Sequence, residues 1–172
     1  METNKNTKRV AMLGIMGALA LALSFLESLI PALPGLPPGA KPGLSNIVTM
    51  FMASSGIADA FFITALKAVF AGVTRGTTAM LMSASGGLLS TAAACILLCS
   101  KKHSIGYIGI GIICAVCHNI GQLISACLIS GTPSLIFGYG PLLLIFAVAT
   151  GFVTGAVLKA VIPALDRISK SL

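Results

Sequence analysis

Five long apolar runs set the outline of the chain: Val10 to Ile30, Leu44 to Val73, Thr78 to Leu98, Ile105 to Ile129, and Leu142 to Ile162. About 20 residues at about 1.5 Å each cover a hydrocarbon core of about 30 Å, so most of these runs predict one membrane-spanning helix apiece. Leu44 to Val73 is too long for one comfortable span and short for two. Ser54-Ser55-Gly56 breaks it in the middle, and Asp59 falls in the first turn of the second half. Two helices are expected there, the first of only about 10 to 13 residues, or roughly 15 to 20 Å. Ile105 to Ile129 is the run around which the others are organised. It carries no formal charge, yet Cys117-His118-Asn119-Ile120-Gly121-Gln122 lies near its centre. Polar groups at that depth need partners, so His118, Asn119 and Gln122, with Ser125 extending the stripe, are expected to face a bundle interior or a cavity.

The connections carry the turn chemistry. Pro31 to Pro42 holds five of the eight prolines together with Gly35, Gly39 and Lys41. Proline removes a backbone donor, so this segment predicts a stiff, non-helical loop that could act as a lid. Met1 to Arg9 reads as a short polar tail. The run after it is longer than the apolar core of a secretory signal, which is about 7 to 15 residues, and is read as a first transmembrane helix. Ser100 to His103 and Gly131 to Pro141 separate the later spans.

Composition turns this pattern into a class. Only 9% of residues are charged, 56% are apolar and the mean hydropathy is +1.02, against about 25% charged in soluble domains. The expectation is an all-α integral membrane bundle forming a single domain over residues 1–172. A net charge of +7 would suggest nucleic acid in a soluble protein, but here the basic residues flank apolar runs and act as topology signals. With six helices and a cytoplasmic N-terminus, Lys5, Lys8, Arg9, Lys101, Lys102, Lys159, Arg167 and Lys170 fall inside, and Lys41 and Arg75 outside. Five helices would instead leave only Lys5, Lys8, Arg9 and Arg75 inside. Six helices with both termini cytoplasmic is therefore the expectation.

Catalytic and metal motifs are weak or missing. There is no G-x-x-x-x-G-K-[ST] loop, no H-E-x-x-H and no nucleophile elbow, so any ATPase that drives the protein must be another chain. Cys114-Ala115-Val116-Cys117-His118 matches a haem-attachment pattern, but it lies within an apolar helix without an evident second axial ligand. Packed thiols are the better reading, and neither a metal nor another cofactor is expected. Rows of small residues are a stronger signal: Gly14, Ala18 and Ala22 in the first helix, and Ala147, Gly151 and Gly155 in the last. Such rows let backbones approach closely, either within this bundle or against another membrane subunit.

Four ionisable residues complete the inventory. Lys67 lies inside the third span, Glu27 near the outer end of the first, Asp59 near the inner end of the third and Arg75 just beyond its outer end. A central lysine costs about 2.5 to 3.5 kcal/mol on insertion scales and needs a partner or a function. It could pair with Glu27. Alternatively, Lys67, Arg75, Lys41 and His118 could give the outer half of the bundle a positive cavity suited to an anionic or zwitterionic small molecule.

Four segments in order carry a family resemblance: Pro38-Gly39-Ala40-Lys41-Pro42-Gly43-Leu44-Ser45-Asn46-Ile47-Val48, Thr74-Arg75-Gly76-Thr77, Ser85-Gly86-Gly87-Leu88-Leu89-Ser90, and His118-Asn119-Ile120-Gly121-Gln122. Together they resemble the Gx transporter family, whose members are often labelled heptaprenyl diphosphate synthase component I. That family in turn resembles the substrate-binding S components of energy-coupling factor (ECF) transporters. The resemblance implies a six-helix, non-enzymatic subunit of the bacterial plasma membrane that binds a small organic micronutrient near the outer face. It also implies a transmembrane coupling subunit and two ATPase subunits as partners, the coupling subunit meeting an Ala-x-x-x-Ala face on the first helix. Here Ala18 and Ala22 match that spacing, and Gly14 continues the row as a candidate docking position. Lys41, Asn46, Lys67, Arg75, His118, Asn119 and Gln122 are the expected substrate-binding residues, with Pro31 to Pro42 closing over them. The synthase label implies another role, as a membrane accessory in isoprenoid or quinone synthesis. Chain elongation itself uses D-D-x-x-D motifs, and this chain has only two aspartates.

Overall fold

The computed structural model describes the backbone of residues 2–29, 43–99 and 105–171, and the side chains of residues 6–29, 43–98 and 105–163. Among the described residues it holds six helices and no strand: α1 (Glu2–Leu29), α2 (Asn46–Ser55), α3 (Ile57–Arg75), α4 (Thr77–Cys99), α5 (Tyr107–Ser130) and α6 (Leu135–Ser171). Five of them, all but α2, are long and apolar enough to cross a membrane. Their outer surfaces suit that setting. Val73, Phe137, Leu128 and Ile96 are each more than 70% exposed, a display of large apolar side chains that water would penalise and lipid does not.

Helix directions follow from which residues meet. Asn46 and Lys67 lie on opposite sides of Gly56 at similar separations, and they share a hydrogen bond of 2.6 Å. A continuous helix would hold them about 30 Å apart. The chain therefore reverses at Gly56, and α2 and α3 form a tight hairpin, as the Ser54 to Gly56 break predicts. Gly76 reverses it again between α3 and α4, with a φ of 91° that favours glycine, and Thr64 meets Thr91 across that pair. Ser85 reaches the Gly121 carbonyl from α4 to α5, and Asn119 reaches the Leu143 carbonyl from α5 to α6. Successive helices thus alternate in direction, which places the start of α1 and the end of α6 on the same face of the bundle. Arg9 and Asp59 form an ion pair near the starts of α1 and α3 and fix those two helices as parallel.

Helix α2 is the departure from ordinary spans. Its 10 residues extend about 15 Å, half of a hydrocarbon core, and its side chains from Val48 to Ala53 are almost wholly buried among the longer helices. Met50, Met52 and Phe51 pack there with Ala20, Ile63, Ile110 and Leu158, so a helix too short to span serves as the plug of the core.

Helix α5 is held by glycine on both sides. A Cβ on Gly121 would lie 2.6 Å from the Ser85 carbonyl oxygen and 2.7 Å from Gly86 Cα, both on α4. Nearer the start of the helix, a Cβ on Gly111 would lie 2.6 Å from Gly155 Cα on α6. Close backbone approach of this kind replaces the missing hydrophobic drive between helices in lipid. The row on the last helix, Ala147, Gly151 and Gly155, is thereby placed: its glycines pack internally against α5. The row on α1 faces the other way. Gly14, Ala18 and Ala22 are exposed, and a Cβ on Gly14 would touch nothing within 4 Å.

Two helix boundaries differ from the sequence expectation. Helix α1 begins at Glu2, so residues read as a polar tail continue the helix, with Arg9 anchored to Asp59. Helix α6 begins at Leu135, before Pro141, and continues through Pro163. Proline inside a helix frees one carbonyl, which membrane helices tolerate when neighbours or local adjustment satisfy it.

Candidate functional site

Five elements converge on one buried polar cavity. From α1 come Ser24 and Glu27, which share the inward face with Ala20 because three- and four-residue spacings line up on a helix. The turn before α2 brings Gly43 and Ser45, with Asn46 beside them; α3 brings Lys67 and Arg75; α4 brings Ala79 and Ser83; and α5 brings His118 and Gln122. The cavity measures about 20 Å³, room for about one water, so anything larger requires its walls to part.

The wall is a connected network. Glu27 accepts from the Ser45 backbone N–H at 3.3 Å and from Ser45 Oγ at 3.1 Å. A carboxylate at the N-terminus of a helix is favourably placed, because the backbone donors there lack intrahelical partners. The next residue, Asn46, accepts from Lys67 Nζ, so consecutive residues at the start of α2 tie α1 to α3. His118 and Gln122, one helical turn apart, bond to each other through their side chains. Gly43 has a φ of 78°, and a Cβ there would fall 2.8 Å from Asn46 Nδ2 and 2.9 Å from His118 Cδ2. Only glycine suits both its backbone conformation and its closeness to the cluster.

Glu27, Lys67, His118 and Gln122 are each at most 5% exposed. Among the described residues, one carboxylate, Glu27, and two cations, Lys67 and Arg75, stand around the cavity. Removing such groups from water costs several kcal/mol per ion unless charge and hydrogen bonds compensate. Among the described residues the cavity wall has no aromatic carbocycle, so the discrimination they offer rests on hydrogen bonds and charge.

Of the residues expected to bind substrate, Asn46, Lys67, Arg75, His118 and Gln122 come together here. Lys41 and the whole of Pro31 to Pro42 lie outside the described residues. Asn119 stands apart: its Nδ2 donates to the Leu143 carbonyl at 2.9 Å, and it borders a separate apolar groove of about 360 Å³ between α5 and α6 with Ile120, Leu123, Ile136 and Leu144. Ser125 is also elsewhere, donating to Ser85 and so joining α5 to α4. The sequence pattern offers Glu27 only as a partner for Lys67 and does not single out Ser24, Gly43, Ser45 or Ser83 as site residues. The signal for Gly43 and Ser45 was their place between the proline-rich loop and a helix too short to span.

The row of Gly14, Ala18 and Ala22 remains open on the outside of α1, well separated in role from the cavity wall formed by Ser24 and Glu27 on the other face. Comparison with curated proteins and with solved structures gave no match. Residues 16–161 match the family described as heptaprenyl diphosphate synthase component I. That match reaches into all six helices and takes in every described residue of the polar cavity. The chain belongs to the heptaprenyl diphosphate synthase component I family.

Proposed function

We propose that the chain is the substrate-binding membrane subunit of an ECF-type uptake transporter for a small organic micronutrient, working without catalytic chemistry of its own. The observation that carries this reading is the buried cluster of Glu27, Asn46, Lys67, Arg75, His118 and Gln122 around the N-terminus of a half-length helix. Interrupted or short helices whose ends face the bundle interior are a recurrent way to build a binding site within a membrane. Ionisable groups kept there at a desolvation cost have their most economical explanation in a ligand. The exposed Gly14, Ala18 and Ala22 supply the second half of the reading, a smooth face for a transmembrane coupling subunit that works with two ATPases.

In this scheme both termini are cytoplasmic, in the plasma membrane, and substrate enters from outside, where Lys41 and the proline-rich segment lie. Single cysteines at positions 41, 102 and 170 in a cysteine-free background test the orientation. An impermeant thiol reagent added to intact cells should label position 41 and spare 102 and 170. Labelling of 102 from outside would remove the orientation.

Assembly gives the test of transport. Ala18→Trp or Ala22→Trp should abolish recovery of the coupling subunit and ATPases with the tagged chain while leaving its own melting temperature unchanged, because both side chains point away from the bundle. Recovery that survives the tryptophan, or a parallel fall in melting temperature, would contradict the proposed docking face.

The family's description favours a second reading, an accessory membrane subunit beside a prenyl diphosphate synthase. The apolar groove of about 360 Å³ beside Asn119 is the feature that fits it, since pockets of about 300 Å³ and above are large enough for small ligands. Retention of a polyprenyl diphosphate on purification would favour that role over uptake.

A further inference from the structure

The polar cavity is not balanced, and the imbalance identifies a ligand class. This step rests on the reading of that cavity as the substrate site. Glu27 spends its oxygens on Ser45, so the acceptor side of the cluster is largely used internally. The donor side is not. Lys67 carries three N–H donors and, among the described residues, uses one on Asn46. Arg75 borders the same cavity, only partly exposed, with five N–H donors and no hydrogen-bond partner among the described residues. The charge count agrees with the donor count, since among the described residues two cations face one carboxylate.

We propose that the site takes a compact, aliphatic monocarboxylate whose carboxylate is held by Arg75 and Lys67 and neutralises the surplus positive charge. A planar guanidinium matches a carboxylate through two parallel N–H···O bonds, and a lysine adds a point charge from the deeper side. Monoanion charge follows from the count, because a dianion such as the hydrogen phosphate ion that predominates above neutral pH would overshoot neutrality inside a low-dielectric wall. Aliphatic character follows from the lining: Ser24, Ser83 and Ala79 are small, and among the described residues no Phe, Tyr or Trp ring is present for a planar ligand to stack on. Compactness follows from the small volume between these elements, about 20 Å³ before the walls part. Glu27, held by Ser45, positions the start of α2 and leaves the ligand to the cations.

The test uses the purified full-length chain in lipid nanodiscs and follows its melting temperature against lactate, glycerate and butyrate, with inorganic phosphate and benzoate in parallel. At least one aliphatic monocarboxylate should raise the melting temperature, with the concentration needed for a given rise at least about tenfold below those of phosphate and benzoate. In Arg75→Gln that concentration should rise by about tenfold or more, and Arg75→Lys should recover part of the loss. Arg75 lies at the end of α3 and only partly buried, so these variants keep the core intact. An equal response to phosphate or benzoate would overturn the proposal, as would no response to any of the aliphatic monocarboxylates. Failure here is separable from failure of uptake. A chain that retains a neutral or aromatic metabolite and still recovers a coupling subunit keeps the uptake reading and loses this one. A chain that responds to a monocarboxylate but recovers no coupling subunit has the reverse meaning.

Discussion

Gly121→Leu is expected to abolish recovery of folded protein. The new side chain would have to occupy the space of Ser85 and Gly86 backbone atoms, which lie 2.6 to 2.8 Å from the position of its first carbon. Backbone cannot swing aside as a flexible side chain can, so α4 and α5 must separate. Overpacking in a tight core costs about 1 to 3 kcal/mol when side chains can adjust. Here the separation would also break the Ser85 to Gly121 and Ser125 to Ser85 bonds, raising the cost further. Gly14→Leu is the matched control. It makes the same change within a helix, at a position with nothing within 4 Å, and should leave yield and melting temperature of the isolated chain unchanged. Comparable melting of the two variants would mean that α4 and α5 are not in backbone contact.

Lys67→Met has the second large effect, and it falls on binding rather than on folding. Lys67 is buried at 5% exposure and holds Asn46 at the start of α2. Methionine approximates its length without its charge. Glu27 and Arg75 then balance one another and a buried charge no longer has to be kept from water, which offsets the roughly 1 to 3 kcal/mol lost by leaving the buried Asn46 oxygen without its donor, so stability should change little. Loss of a charge-assisted contact to an anionic ligand should cost about 2 to 4 kcal/mol, roughly 30- to 1,000-fold in affinity. Paired melting and ligand-titration curves on the purified variant separate the two quantities. A large fall in melting temperature with affinity per folded molecule unchanged would make Lys67 a structural residue.

Much of this architecture is legible in the chain because lipid imposes a simple code. The uncharged run from Ile105 to Ile129 marks the helix that packs against both α4 and α6, and its polar centre marks a wall of the cavity. Ser54-Ser55-Gly56 marks the hairpin, since a small, weakly helical cluster inside an apolar run has few other uses. Helix ends were harder to read. Arg9 looks like a topology signal, and its ion pair with Asp59 depends on a residue 50 positions away. Pro141 reads as a stop, yet α6 passes through it, because in lipid the alternative to a distorted helix is unpaired backbone. The site shows the same limit. His118 and Gln122 are four residues apart and share a face, whereas Asn119 is turned about 100° from His118, enough to send it to α6. Glu27 announces itself as a charge in an apolar run, but its partner Ser45 comes from another segment, and no local pattern joins them.

The central claim is that the cluster around Lys67 holds a small molecule. Its most direct measurement is mass spectrometry of the compounds retained by the wild-type chain and by Lys67→Met, purified side by side from the same membranes. One small, anionic or zwitterionic organic compound should be retained near stoichiometrically by the wild type and depleted at least about 30-fold in the variant, with both proteins equally folded. Equal retention of the same compound by the two proteins, or retention of nothing but membrane lipid by both, would contradict the account.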